Sequence, residues 1–222
     1  MKKKYLFIIA LLVSSIFSYG QCTDPDIENP TFTSCPTNLT PNVGAGTCTA
    51  SVATANPVTA DNCSVTKLTW ALTGATTANS AATGINNLGT QVFNLGTTTV
   101  TYTVSDAAGN TANCSYTVIV TDNINPTFTS CPTNLTPNVG AGTCTASVAT
   151  ANPVTADNCS VTKLTWALTG ATTANSAATG INNLGTQVFN LGTTTVTYTV
   201  SDAAGNTANC SYTVIVTDNI NP

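Results

Sequence analysis

Residues 96–120 read GTTTVTYTVSDAAGNTANCSYTVIV. Val100, Tyr102 and Val104 alternate with Thr101 and Thr103, and Cys114, Tyr116, Val118 and Val120 alternate with Ser115 and Thr117. Successive side chains on a strand point to opposite faces, so each set predicts a strand with one face on a core and one in water. Asp106-Ala107-Ala108-Gly109-Asn110 lies between them and carries the turn chemistry that closes a hairpin. Leu68, Trp70 and Leu72 repeat the alternation upstream, against Thr69 and Ala71. On this reading Trp70 and Tyr102 are core aromatics, not carbohydrate-stacking ones. Weaker strands are expected near Phe32 to Leu39, Cys48 to Ala55 and Gln91 to Asn94, with breaks at Pro41-Asn42-Val43-Gly44 and Asn86-Asn87-Leu88-Gly89. Residues 74–89 are small and polar, and read as a long loop or a weak edge hairpin. About seven short strands in ~100 residues is the pattern of an immunoglobulin-like β-sandwich.

The unit occurs twice. Residues 29–124 and 125–220 are the same 96 residues without a substitution, and residues 221–222 begin the pattern again. A period this long suits a whole small domain better than a solenoid unit. Threonine fills 23 of the 96 positions, and its branched side chain favours strands over helix interiors. The fold expected is therefore all-β, two tandem immunoglobulin-like sandwiches. The linker Thr121-Asp122-Asn123-Ile124-Asn125-Pro126 is short, and Pro126 stiffens it. The repeats should contact each other end to end, at about 35–40 Å per copy.

Residues 1–20 look like an export signal. Lys2, Lys3 and Lys4 precede the short apolar run Tyr5 to Val13, and Ser18-Tyr19-Gly20 offers a cleavage site. That run is far shorter than the ~20 residues a membrane-spanning helix needs. Residues 21–28 then form a short N-terminal segment. Beyond the signal, Lys67 and Lys163 face nine acidic residues, and the chain has no His. Nucleic-acid binding needs clustered cations and is set aside.

There are nine cysteines. Each repeat has four: Cys35, Cys48, Cys63 and Cys114, then Cys131, Cys144, Cys159 and Cys210. An even number per exported unit argues for two internal disulfides, with three pairings open. Fold logic favours Cys35–Cys114, tying first strand to last, and Cys48–Cys63 as a local staple. The second copy would repeat these as Cys131–Cys210 and Cys144–Cys159. Cys22 is the odd one out and is expected to be lipidated, paired between chains, or free. Its lipobox match is poor, with Tyr19 three positions before it and Gln21 directly before it.

Each copy resembles the hyalin repeat (HYR) domain. The resemblance rests on Cys35-Pro36, Asp61-Asn62-Cys63, the run from Phe93-Asn94-Leu95-Gly96 through Thr99-Val100-Thr101-Tyr102 to Asp106-Ala107-Ala108-Gly109-Asn110, and Cys114-Ser115-Tyr116-Thr117-Val118. It covers almost everything after the signal. It implies an immunoglobulin-like extracellular module associated with adhesion, of a kind that bacterial surface proteins carry in long arrays. It also implies a first-to-last cysteine pair, which supports Cys35–Cys114, and it brings no catalytic residues.

The residues agree that the chain is not an enzyme. Without His there is no Ser-His-Asp triad and no His general base. The carboxylates Asp61, Asp106 and Asp122 all fall in turns, where they bond loop backbone. The one cofactor weighed is Ca²⁺, which needs several hard oxygen ligands. Asp122, Asn123 and Asn125 in the linker are the candidate ligands, with Asp106 or Asp61 to complete a site. The expectation is a secreted or cell-surface array on a bacterium that binds a protein or carbohydrate surface ligand. Its exposed loops, residues 74–89 first, would make the contact. The alternative is a passive spacer that carries another domain.

Overall fold

The structure, a computed structural model, describes residue 22 and residues 24–221. The export signal lies outside the described residues. Repeat 1 contains β1 (Thr31–Ser34), β2 (Thr49–Ala53), β3 (Val58–Ala60), β4 (Val65–Gly74), β5 (Ala78–Asn79), β6 (Thr90–Asn94), β7 (Gly96–Asp106) and β8 (Thr111–Val120). Repeat 2 contains the same elements, β9 (Thr127–Ser130) to β16 (Thr207–Val216). All described elements are strands. One four-stranded sheet runs β5-β4-β7-β8, and the pairs β1-β3 and β2-β6 lie apart from it.

The period-2 pattern sets the two faces of the large sheet. In β7 Val100, Tyr102 and Val104 are fully buried, and their cross-strand partners Leu72 and Leu68 are buried opposite Val100 and Val104. Phe93 from β6 closes the core from the other side, itself fully buried. Trp70 packs partly buried against the same core. The Tyr102 hydroxyl accepts the Leu88 N–H at 3.1 Å, so the one polar atom of this buried ring is paired. Two buried threonines are paired likewise: Thr98 Oγ1 accepts the Thr76 N–H at 3.1 Å, and Thr76 Oγ1 accepts the Asn94 N–H at 2.8 Å.

The chain from Leu39 to Val43 runs parallel to β8 as an added edge. Leu39 N–H donates to Thr117 O and Val43 N–H to Thr121 O, both at 2.9 Å. The segment expected as one strand from Phe32 to Leu39 is thus split between two sheets. Residues 74–89 are folded. β5 pairs with β4, and Asn86 Nδ2 lies within 3.2 Å of the carbonyls of Leu68, Ala81, Thr83 and Gly84. At the start of this segment the backbone needs glycine. Gly74 has φ of 100°, and a Cβ there would collide with Thr97 O.

Candidate junction site

β7 separates the two ends of each repeat. At 11 residues and ~3.3 Å per residue, it spans roughly 35 Å. Cys48 lies at one end, where its carbonyl accepts the Leu95 N–H just before β7 begins. Cys63 lies at the other, two residues from Asp61, whose carboxylate clusters with Asp106 at the end of β7. A disulfide needs Cα atoms within about 7 Å. Hence Cys48–Cys63 and its copy Cys144–Cys159 do not form. The structure pairs Cys48 with Cys159 across the repeats, with Cα atoms 4.9 Å apart, and Cys63 with Cys22 at 4.7 Å. Cys22 is bonded within its own chain in this structure, and Cys144 is the free, exposed thiol. Within the repeats, Cys35 pairs with Cys114 and Cys131 with Cys210, each with Cα atoms 6.0 Å apart.

Around Cys48–Cys159 the repeats meet in a polar junction. Asn158 Nδ2 donates to Thr47 O at 3.1 Å and lies 3.4 Å from Asp122 Oδ1. Asp122 Oδ1 also accepts the Ile124 N–H, at 3.0 Å. Asn206 Nδ2 donates to Asp122 O at 3.2 Å. Ile124, at the end of repeat 1, and Cys159, from repeat 2, both pack partly buried against the core of repeat 1.

Three carboxylates converge here. Asp122 comes from the linker, Asp157 from the turn before Cys159, and Asp202 from the hairpin that joins β15 (Gly192–Asp202) to β16. One oxygen of each lies within 4.8 Å of the others. Asp202 is held by Gly205 N–H and Asn206 N–H on Oδ1 and by Asn206 Nδ2 on Oδ2. Asp157 Oδ2 accepts the N–H groups of Cys159 and Ser160, each at 2.9 Å. Asp157 Oδ1 and Asn158 Oδ1 are buried with no hydrogen-bond partner among the described residues. Such atoms are costly unless something pairs with them. Clustered hard oxygens with unpaired lone pairs are the donor set that suits Ca²⁺. The set differs from the sequence expectation. Asp122 belongs to it, whereas Asn123 and Asn125 are exposed on the linker, and the other acids come from repeat 2.

The N-terminal end of repeat 1 copies this arrangement with other residues. Asp26 joins Asp61 and Asp106 in the same cluster. Asn110 Nδ2 donates to Asp26 O at 3.2 Å, as Asn206 does to Asp122 O. Glu28 N–H donates to Asp26 Oδ1, as Ile124 N–H does to Asp122 Oδ1. Cys22 and residues 24–28 thus stand in for the end of a preceding repeat, with Cys22 in the place of its Cys48. Burial alone would raise the Asp106 pKa, but hydrogen bonds from Asn110, Gly109 and Ala108 outweigh it and hold the carboxyl below its ordinary value. Sequence reading missed the crossed pairing. The signal available was the odd cysteine, Cys22, sitting before the first repeat.

Away from the junction, Lys67, Thr69, Thr101 and Thr103 on the large sheet floor a groove of about 330 Å³, with Trp70 and Ala71 beside them and Asn79, Ser80, Ala81 and Ala82 of the folded 74–89 segment as its wall. Repeat 2 has the same groove, of about 320 Å³, over Lys163, Thr165, Thr197 and Thr199. No described helix is long and apolar enough to cross a membrane.

No curated protein matches the chain. Solved structures that resemble it include titin domains z1z2 in complex with telethonin, 11% identical, covering 87% of this chain and 98% of that one, with a TM-score of 0.39. The N-terminal Ig1-2 module of the Drosophila receptor protein tyrosine phosphatase DLAR is 12% identical, covering 86% and 100%, with a TM-score of 0.31. Mouse cadherin-23 EC22-24 is 15% identical, covering 86% and 65%, with a TM-score of 0.34. The HYR domain family matches residues 25–120 and 121–216, a frame that places Asp26 and Asp122 inside successive units. With two tandem matches over most of its length, the chain belongs to the HYR domain family, as an extracellular-type module of all-β, immunoglobulin-like architecture.

Proposed function

We propose that the chain is a non-enzymatic adhesive array on the outer surface of a bacterial cell, holding identical binding faces in fixed register. The observation that carries this reading is the junction. Cys48–Cys159 and the Asn158 hydrogen bonds fix one repeat against the next, so the two grooves keep a constant relation. A fixed pair of sites binds a repetitive surface more tightly than two loose ones, because the second contact is intramolecular. Hydroxyls, an amide and one ammonium beside a tryptophan and three alanines in each groove suit a ligand with both polar and apolar faces, carbohydrate or protein. The carboxylates Asp122, Asp157 and Asp202 take up Ca²⁺ in this reading, and the buried unpaired Asp157 Oδ1 and Asn158 Oδ1 support it.

Beads coated with the chain are expected to be retained on glycan-coated or matrix-protein-coated surfaces. Lys67→Glu with Lys163→Glu, both on the outer face, should abolish retention and leave the fold intact. Absence of retention by the unaltered chain on every such surface contradicts adhesion and favours the spacer reading, which the same stiff junction would serve.

A further inference from the structure

The disulfides overlap along the chain. Cys22–Cys63, Cys35–Cys114, Cys48–Cys159 and Cys131–Cys210 each open before the preceding one has closed. Tension on a cross-linked chain follows the shortest covalent route, and the loops that the bonds close stay slack. From Cys22 that route crosses to Cys63, runs back through residues 63–48, and crosses to Cys159 in repeat 2. It then runs back through residues 159–144. Cys144 lies at the far end of repeat 2, where its carbonyl accepts the Leu191 N–H as that of Cys48 accepts the Leu95 N–H.

The loaded segment is short and nearly taut. Residues 48–63 hold β2 and β3 alone. β4, β7 and β8, with the Val100 and Tyr102 core and the floor of the groove, lie in the slack part. Cys48 and Cys63 sit at opposite ends of repeat 1, roughly 35 Å apart by the length of β7. The residues between them reach about 50 Å when fully extended. Stripping β2 and β3 from their partners therefore lengthens the repeat by only about 15 Å. Without the bonds the same repeat extends to about 330 Å. β2 also meets the load along its own axis. Its ladder to β6 runs from Thr49–Asn94 to Ala53–Thr90, with the hydrogen bonds perpendicular to the strand, so a pull acts on all of them at once.

We propose that the chain is a load-bearing tether, its crossed disulfides carrying tension from repeat to repeat through residues 48–63 and 144–159 and past the groove-bearing sheets. Under a pull along the chain each sandwich keeps its core and its groove. This function serves an adhesive array and a passive spacer alike, so it does not depend on what the grooves bind.

The test pulls single molecules in optical tweezers, between an N-terminal tag and a DNA handle joined to the exposed Cys144 thiol by a thioether. In the oxidised chain the route through residues 48–63 and 144–159 reaches about 100 Å, so all unfolding events together should add about 30 Å of contour. With reductant, residues 22–144 reach about 420 Å, and the same pull should add about 350 Å. Cys48→Ser with Cys159→Ser diverts the load from Cys63 to Cys35 and from Cys114 to Cys144, and should add about 130 Å before any reductant. The proposal is overturned if the unaltered oxidised chain lengthens by about 130 Å or more. It is also overturned if reductant leaves the length unchanged, or if the double variant lengthens no more than the unaltered chain.

Discussion

Asp122 and Asp218 occupy the same place in two identical repeats, yet Asp122 is buried and Asp218 exposed. Ile124 and Ile220 differ the same way. The repeats share every residue and differ only in their neighbours. Some properties of a unit are therefore local, such as the Phe93 and Tyr102 core and the Cys35–Cys114 bond. Others are created only when two units meet: the Cys48–Cys159 bond, the paired Asn158 and the three-carboxylate cluster.

Breaking a local feature should have the largest effect and should spare the junction's chemistry. Cys131→Ser with Cys210→Ser opens a bond spanning 79 residues, which is expected to cost repeat 2 about 4–5 kcal/mol in urea unfolding. Repeat 1 should keep its transition. Gly170→Ala comes next. Gly170 has φ of 102°, and a Cβ would meet Thr193 O, so a loss of about 2–3 kcal/mol is expected. The junction is sharpened by a matched pair of changes. Asn158→Ala should cost about 1–2 kcal/mol, because it removes the donor to Thr47 O. Asn62→Ala, identical in sequence context but unpaired, should leave stability within about 0.5 kcal/mol of the original. Equal losses at the two sites would show that the junction adds nothing to Asn158.

The smallest expected effects are those of pH. Burial pushes the Tyr212 hydroxyl up to about 12, and it raises Tyr102, Tyr116 and Tyr198 as well. A raised pKa in the fold means that stability is whole below the ordinary value of 10 and is lost as pH rises through about 12. Asp106 shifts the other way. Its contribution is present above its ordinary value of 3.8 and is lost as pH falls through its lower folded value. Thermal unfolding across pH should therefore show a plateau with a decline at each end. A constant melting temperature from pH 9 to 12 would contradict the burial of these rings.

The local features were legible in the sequence, and the junction was not. Val100, Tyr102 and Val104 announce β7 because one face is apolar and the other threonine. β5 was legible only as the weak edge hairpin offered beside a long loop for residues 74–89, because Ala78 and Asn79 are two residues at a sheet edge, with no alternation to read. The turn at Asp106 was clear from its glycine and asparagine. Cys48–Cys159 was hidden for a different reason. Cysteine counting favours closure within a unit, and only the length of β7 shows that Cys48 and Cys63 lie at opposite ends. The acids show the same limit. Asp122 was a visible candidate, but Asp157 and Asp202 reach it only through the stacking of the repeats.

The central claim is that a disulfide crosses the junction. Peptide mapping alone is ambiguous, because a Cys48–Cys63 peptide and a Cys48–Cys159 peptide are identical in sequence. The chain contains no arginine, however, so Asn123→Arg at an exposed linker position creates a single site for an arginine-specific protease. After complete cleavage at that site, the account predicts that the two halves migrate together without reductant and separate with it. Halves that separate before reduction would contradict the crossed pairing and return Cys48 to a partner within its own repeat.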